Sequence, residues 1–236
     1  MDSNHLSGGL IPGAVVRRLP KYLTHTQRLR LEGVQWVSSA TLAEALGLTS
    51  STVRQDLTYV EFRGVSKRGY SVVGLESVLA RTLGVDRDLA CVLVGAGNLG
   101  RALALHDEFA RQGFKILAVF DSNQAVIGRR AGRFIVQGMS ELAPLIHSGN
   151  VDIGLISVPH AAAQQVAEQL IQAGVRGLLN LTTAHLLVPD DVAVVDARIL
   201  SSLRELAYAV RSRRIGGVDT LENDRHECAI ERTVDE

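Results

Sequence analysis

The chain has 236 residues, 46% of them hydrophobic, which is enough to bury a real core in one large domain or two smaller ones. Charge sums to zero but is unevenly spread: residues 17–70 hold nine Lys/Arg against four Asp/Glu and residues 215–236 hold two against seven, so the front end suits a polyanion partner. No apolar run approaches the roughly 18 residues of a membrane span, no signal-peptide pattern opens the chain, and Cys91 and Cys228 lack metal-ligand or redox spacing, which together predict a cytoplasmic protein without disulfides.

Residues 1–10 are polar and read as a loose terminus. Val15, Val16, Leu19, Tyr22, Leu23, Leu29 and Leu31 follow at helical spacing up to Gly33, and Pro20 predicts a helix that starts near it or is broken by it. Ser38-Ser39 offers an N-cap for a short helix through Leu46 that Gly47 stops, and Leu48-Thr49-Ser50 opens the next helix, expected to reach about Phe62. Gly64 to Val73 reads as a two-stranded hairpin with Ser66, Lys67 and Arg68 at its tip. A helix over 75–85 then leads to a hinge near Val85-Asp86-Arg87.

From there the pattern alternates. Strands are expected at 89–95, 115–121, 133–137, 152–158, 177–182 and 192–197, with helices at 98–112, 140–147 and 161–173. Such alternation predicts an α/β fold with a doubly wound parallel sheet. An amphipathic stretch at 200–214 and an acidic, compositionally disordered tail at 215–236 close the chain. The expected domains are therefore 1–84, 85–199, the helix 200–214 and the tail.

Gly95-Ala96-Gly97-Asn98-Leu99-Gly100 lies between a predicted strand and a predicted helix, and Asp121-Ser122 closes the next strand. In that setting Gly95 makes the tight turn, Gly97 lets backbone approach a pyrophosphate and Gly100 lets helix pack on sheet. The helix N-terminus attracts the phosphates, and Asp121 can accept hydrogen bonds from ribose hydroxyls while repelling a 2′-phosphate, so NAD(H) is favoured over NADP(H). Arg129 and Arg130 either soften that preference or lie on a solvated turn. Val158-Pro159 and Asn180 fall at the carboxyl edge of the sheet, where ligands of such folds sit. His160 is the one tempting acid/base there, and too little sequence remains for a substrate domain, so an oxidoreductase is disfavoured and no enzyme is expected.

At the basic end, Ser50-Ser51-Thr52 starts a helix with Arg54, Gln55 and Tyr59 further along it. Short polar residues and an Arg fork at a helix start suit base edges in a major groove, with Lys67 and Arg68 as a wing on the backbone or in the minor groove. Asp56, set among these cations, is expected to cap or pair internally. Arg17, Arg18, Lys21, Arg28 and Arg30 either touch phosphates or line the outside of the first helix.

From about Ile11 to Arg211 the chain resembles the Rex family of redox-sensing transcriptional repressors. The resemblance rests on Ile11-Pro12, Arg18-Leu19-Pro20, Val37-Ser38-Ser39, Thr52-Val53-Arg54-Gln55-Asp56-Leu57, Gly69-Tyr70, Val94 to Ala102 around the glycine motif, Val119-Phe120-Asp121, Val158-Pro159 with Ala163-Gln164, Gly177 to Asn180 and Leu206-Ala207-Tyr208. It implies a homodimer whose N-terminal winged helices bind a palindromic operator and whose Rossmann domains bind NAD(H). The C-terminal helix, here 200–213, is then exchanged between subunits, and NADH releases DNA whereas NAD+ permits binding. The chain departs from the family's usual tyrosine at His106, aspartate at Arg198, arginine at Thr24 and Phe-Ala-Pro at Leu181-Thr182-Thr183. A repressor paralogue that senses another adenine nucleotide, or does not respond to redox state, is therefore the alternative reading.

Overall fold

A computed structural model describes residues 11–149 and 151–212. Contacts divide the chain into two units, one running to Leu89 and taking in Asp107–Lys115, the other holding Ala90–His106 and the chain from Ile116 onward.

In the first unit, α1 (Gly13–Val16) leads to α2 (Leu19–Leu31), which carries Pro20 in its first turn, where a missing N–H costs nothing. Strand β1 (Trp36–Val37) precedes α3 (Ser39–Leu46) and α4 (Ser50–Tyr59). Ser38 and Thr49 cap these helices by accepting from the Thr41 and Thr52 N–H groups, and Gly47 ends α3 in the left-handed region at φ 65°. Helix α4 stops at Tyr59, three residues short of the expected Phe62. Glu61 takes φ 54°, and the Phe62 and Glu61 N–H groups turn back to Leu57 and Thr58 oxygens, closing the last turn.

The hairpin is also smaller than expected. Val65 and Gly69 form a single bridge, whereas β2 (Tyr70–Ser71) pairs antiparallel with β1, and Val72-Val73 opens α5 (Val72–Thr82) instead of extending the strand. Ser71 accounts for this by capping α5 through the Gly74 N–H. Tyr22, Leu19, Leu42, Val53, Leu57, Leu75 and Leu79 form the core of this unit.

The second unit is a seven-stranded sheet with helices. Its elements are β3 (Leu89–Val94), α6 (Asn98–Leu105), β4 (Phe114–Asp121), β5 (Arg130–Ala131), β6 (Phe134–Gly138), α8 (Leu142–Gly149), β7 (Ile153–Ile156), α9 (Ala163–Gln172), β8 (Gly177–Asn180) and β9 (Ala193–Asp196). The expected helix 98–112 is broken: α6 ends at Leu105, the next residue His106 turns extended with ψ 100°, and α7 (Glu108–Arg111) groups with the first unit. Strand order is β5-β6-β4-β3-β7-β8-β9, with β6 on β4, β7 on β3, β8 on β7 and β9 on β8 all parallel. The expected parallel sheet thus gains one antiparallel edge strand, β5, paired with β6. Phe120, Ile156, Leu142 and Leu170 centre the core.

A helix over 199–212 follows β9, and its Ile199, Leu200, Leu203, Leu206, Tyr208 and Val210 are exposed. Residues 213 and 214 of the expected last helix, the tail at 215–236 and the loose terminus at 1–10 lie outside the described residues.

Candidate functional site

Strand order reverses between β3 and β7, so the crevice at their carboxyl ends is the topological switch point of the sheet. Three glycines shape it. A Cβ on Gly95, whose φ is 105°, would collide with the Ser157 carbonyl oxygen, and one on Gly100 would collide with the Gly95 carbonyl oxygen. Gly97 differs, since a Cβ there meets nothing within 4 Å. Gly95 and Gly100 are therefore fixed by packing, whereas the space above Gly97 is open. Ala96 is buried in the turn, while Gly97, Asn98 and Leu99 are exposed at the start of α6, where first-turn N–H groups have no partner within the helix.

Asp121 ends β4 beside this turn. Its Oδ2 accepts the Ala96 N–H at 2.7 Å and its Oδ1 accepts the Asn123 N–H at 2.8 Å. Each carboxylate oxygen keeps a second lone pair, so the residue can brace the turn and still accept from a hydroxyl. Ser122 beside it is exposed. Val158 is half-buried and Pro159 exposed at the end of β7, and the His160 ring Nδ1 lies 3.2 Å from the Thr183 hydroxyl.

Asn180 does not present its side chain to this crevice as the sequence led us to expect. It is fully buried, its Nδ2 donates to the Ala184 carbonyl and to Asp196 Oδ1, and its Oδ1 accepts from the Thr182 N–H and hydroxyl. All four of its side-chain bonding positions are used, so it holds the loop after β8 in place. Sequence reasoning missed this role because every partner lies in a loop or on the next strand.

In the first unit, α4 turns Val53, Asp56 and Leu57 inward and leaves Ser51, Arg54, Gln55, Thr58 and Tyr59 exposed, with Ser50 and Thr52 half-buried. Arg54 donates to the Ser39 hydroxyl at 3.2 Å, which ties it to the start of α3. Thr58 belongs to this face although the sequence did not single it out. Asp56 finds its internal partners as expected: Arg18 grips both carboxylate oxygens at 2.6 and 2.7 Å, and the Tyr22 hydroxyl donates at 2.9 Å. Burial first, then the bond to Asp56, push the Tyr22 phenol well above its ordinary value.

Of the five cations flagged along the first helix, three have acidic partners: Arg18 with Asp56, Arg28 with Glu32 and Arg30 with Glu76. Arg17 and Lys21 are exposed. Ser66, Lys67 and Arg68 are exposed at the tip of the hairpin.

A family model described as "Putative DNA-binding protein N-terminus" matches residues 10–58, and one described as "CoA binding domain" matches residues 86–184. The redox-sensing transcriptional repressor Rex of Clostridium botulinum (strain Alaska E43 / Type E3) is 37% identical over 201 residues, covering 85% of this chain and 96% of that protein. The chain belongs to the Rex family. The Rex repressor of Carboxydothermus hydrogenoformans is 38% identical over 206 residues, 87% of this chain and 99% of the relative. Among solved structures, RSP in complex with beta-NAD+ and operator DNA matches with a TM-score of 0.82 at 31% identity, covering 91% of this chain and 98% of that one. RSP in complex with beta-NADH gives 0.80 at 32%, covering 89% and 98%.

Of the positions that the resemblance sets apart, Thr24 is exposed on α2 and His106 caps the C-terminal end of α6. Arg198 pairs with Asp196 at 3.0 Å and reaches the Ala184 carbonyl at 3.4 Å, joining the same cluster as Asn180.

Proposed function

We propose that this chain is a homodimeric transcriptional repressor whose grip on a palindromic operator depends on whether NAD+ or NADH occupies its Rossmann unit. One observation carries this. A single chain couples a helix-turn-helix, with Arg54 and Gln55 turned outward, to a switch-point glycine turn open above Gly97 and braced by Asp121. The Rex relatives are named redox-sensing repressors, and the similar RSP structures hold beta-NADH in one case and beta-NAD+ with operator DNA in another.

In this assignment residues 1–84 read DNA and 85–199 hold the nucleotide. Gly95, Ala96, Gly97, Asn98, Leu99 and Gly100 cradle the pyrophosphate, Asp121 and Ser122 take the adenosine ribose, and Val158 and Pro159 line the nicotinamide end. Asn180 keeps its place in the site as a scaffold for the loop beside it. Ser50, Ser51, Thr52, Arg54, Gln55 and Tyr59 face the major groove, with Lys67 and Arg68 on the wing. The nucleotide supplies two states of one ring, cationic and neutral. The protein responds only insofar as its two arrangements bind them unequally. The exposed apolar residues of the helix over 199–212 support its exchange into a second subunit. We assign no catalysis and place the protein in the cytoplasm, as befits a repressor.

Fluorescence anisotropy with a labelled palindromic duplex tests the reading. NADH is expected to weaken binding by about tenfold or more relative to NAD+. Equal binding with either nucleotide, or with none, would refute it. The Arg198–Asp196 pair, at a position where the family usually carries an aspartate, favours one second reading, an effector that is another adenine nucleotide. Calorimetry with NAD+, NADH, ATP and ADP separates the two.

A further inference from the structure

Trp36 is the only tryptophan of the chain and lies outside the motifs described above. It sits half-buried in β1, and the Arg68 guanidinium lies over its ring with the central carbon 4.2 Å from the ring centroid. Arg68 is at the tip of the Val65–Gly69 loop, which is closed by three short backbone bonds: Val65 N–H to the Gly69 oxygen at 2.7 Å, and Arg68 and Gly69 N–H to the Val65 oxygen at 3.0 and 2.9 Å. The loop is also pressed onto β1 at its far end, because a Cβ on Gly69 would collide with the Val37 carbonyl oxygen. At the base, Phe62 and Tyr70 stack with centroids 6.1 Å apart. The neighbouring Lys67 holds φ 61°, a left-handed conformation in a residue with a side chain, and is exposed.

We propose that Trp36 is a positioning residue for the wing: its ring holds Arg68 in a fixed pose from which the outer edge of the guanidinium meets a DNA phosphate. This rests on the operator-binding reading above and deepens it. A long arginine side chain on an exposed loop surrenders much rotamer freedom when it binds a phosphate, and a prior stack removes part of that loss. A ring against one face of the guanidinium leaves its in-plane N–H edge uncovered, the edge that pairs with phosphate oxygens. The exposed Lys67 beside it adds charge.

The test joins a measurement on the protein alone to a double-mutant cycle on DNA. Without DNA, Arg68→Ala is expected to shift Trp36 emission and raise its accessibility to a neutral quencher, and no change in either overturns the stack. With a palindromic duplex, Trp36→Ala is expected to weaken binding about fivefold, while Trp36→Phe restores most of it. Arg68→Ala is expected to weaken binding more and to lower the salt-dependence slope by about one per subunit, whereas Trp36→Ala leaves that slope unchanged. In the Arg68→Ala background, Trp36→Ala should cost nothing further, since a platform without its load has no effect. A loss from Trp36→Ala that persists undiminished in that background marks a general structural defect and overturns the proposal, as does unchanged binding by Trp36→Ala alone. If the wild-type protein binds no duplex at all, the operator-binding reading itself falls, and the wing assignment falls with it.

Discussion

Gly95 and Gly100 show what one methyl group does where a strand turns into a helix. Because a Cβ on Gly100 would meet the backbone carbonyl of Gly95, Gly100→Ala must push α6 off the strand end. The expected cost is about 1–3 kcal/mol, and NADH should no longer raise the melting temperature of the variant. Thermal melts with and without nucleotide check both outcomes. Glu61 sits on the opposite side of the same principle, because it holds φ 54° with a side chain in place. Glu61→Gly is expected to stabilise the protein by up to about 1 kcal/mol, read from denaturant midpoints, and a destabilised variant would contradict the strain described here. At this scale the sequence was legible where a residue type alone carries the information, as in the glycine motif. It was less so where a partner is remote. An internal partner for Asp56 was foreseeable from its charge, but Arg18 and Tyr22 lie 38 and 34 residues away, and only the fold brings them together.

Helices announced themselves better than edges did. Ser38, Thr49 and Gly47 mark the ends of α3 and the start of α4 through bonds to neighbouring residues, and local bonds are what a sequence can encode. The two-residue strands Trp36–Val37 and Arg130–Ala131, and the partner of Tyr70–Ser71, were not legible in this way. Trp36–Val37 takes Tyr70–Ser71 as its partner, and Arg130–Ala131 joins the sheet through Phe134–Ile135, runs too short to show any period. The break in the helix at His106 was hidden too: Gly132 of the β5–β6 turn closes on the end of α6, where a Cβ would lie 2.9 Å from the Ala104 oxygen. Helix α2 carries a titration effect of its own. Burial, reinforced by Arg28 and opposed by Glu32, lowers the His25 imidazole pKa below its ordinary value, and its Nε2 is buried without a hydrogen-bond partner. The folded unit thus prefers neutral imidazole, while the unfolded chain takes up the proton near pH about 6.5. Stabilisation from this group is complete above that pH and fades as pH falls through the lowered folded value. Melting temperature should therefore drop on acidification from about pH 7.5 to about pH 5, and drop less in His25→Gln; identical profiles would exclude the effect.

Along the helix over 199–212, Leu203 and Leu206 are 54% and 58% exposed, and such a row of apolar side chains is stable in water only when another surface covers it. Leu203→Glu with Leu206→Glu is expected to yield folded monomers by sedimentation and to abolish operator binding, because two half-sites one helical turn apart need two joined heads. A double variant that remains dimeric would place the subunit contact elsewhere. The two hydrophobic cores bear on a different question. One draws its buried residues from Val15 to Leu79 and the other from Val92 to Val192, so they have no member in common. A substitution within one core consequently leaves the packing of the other core untouched. Lineages of such proteins are in that way free to acquire new target promoters while inheriting an old metabolic sense, and a grafted chimera is the natural tool for reprogramming one.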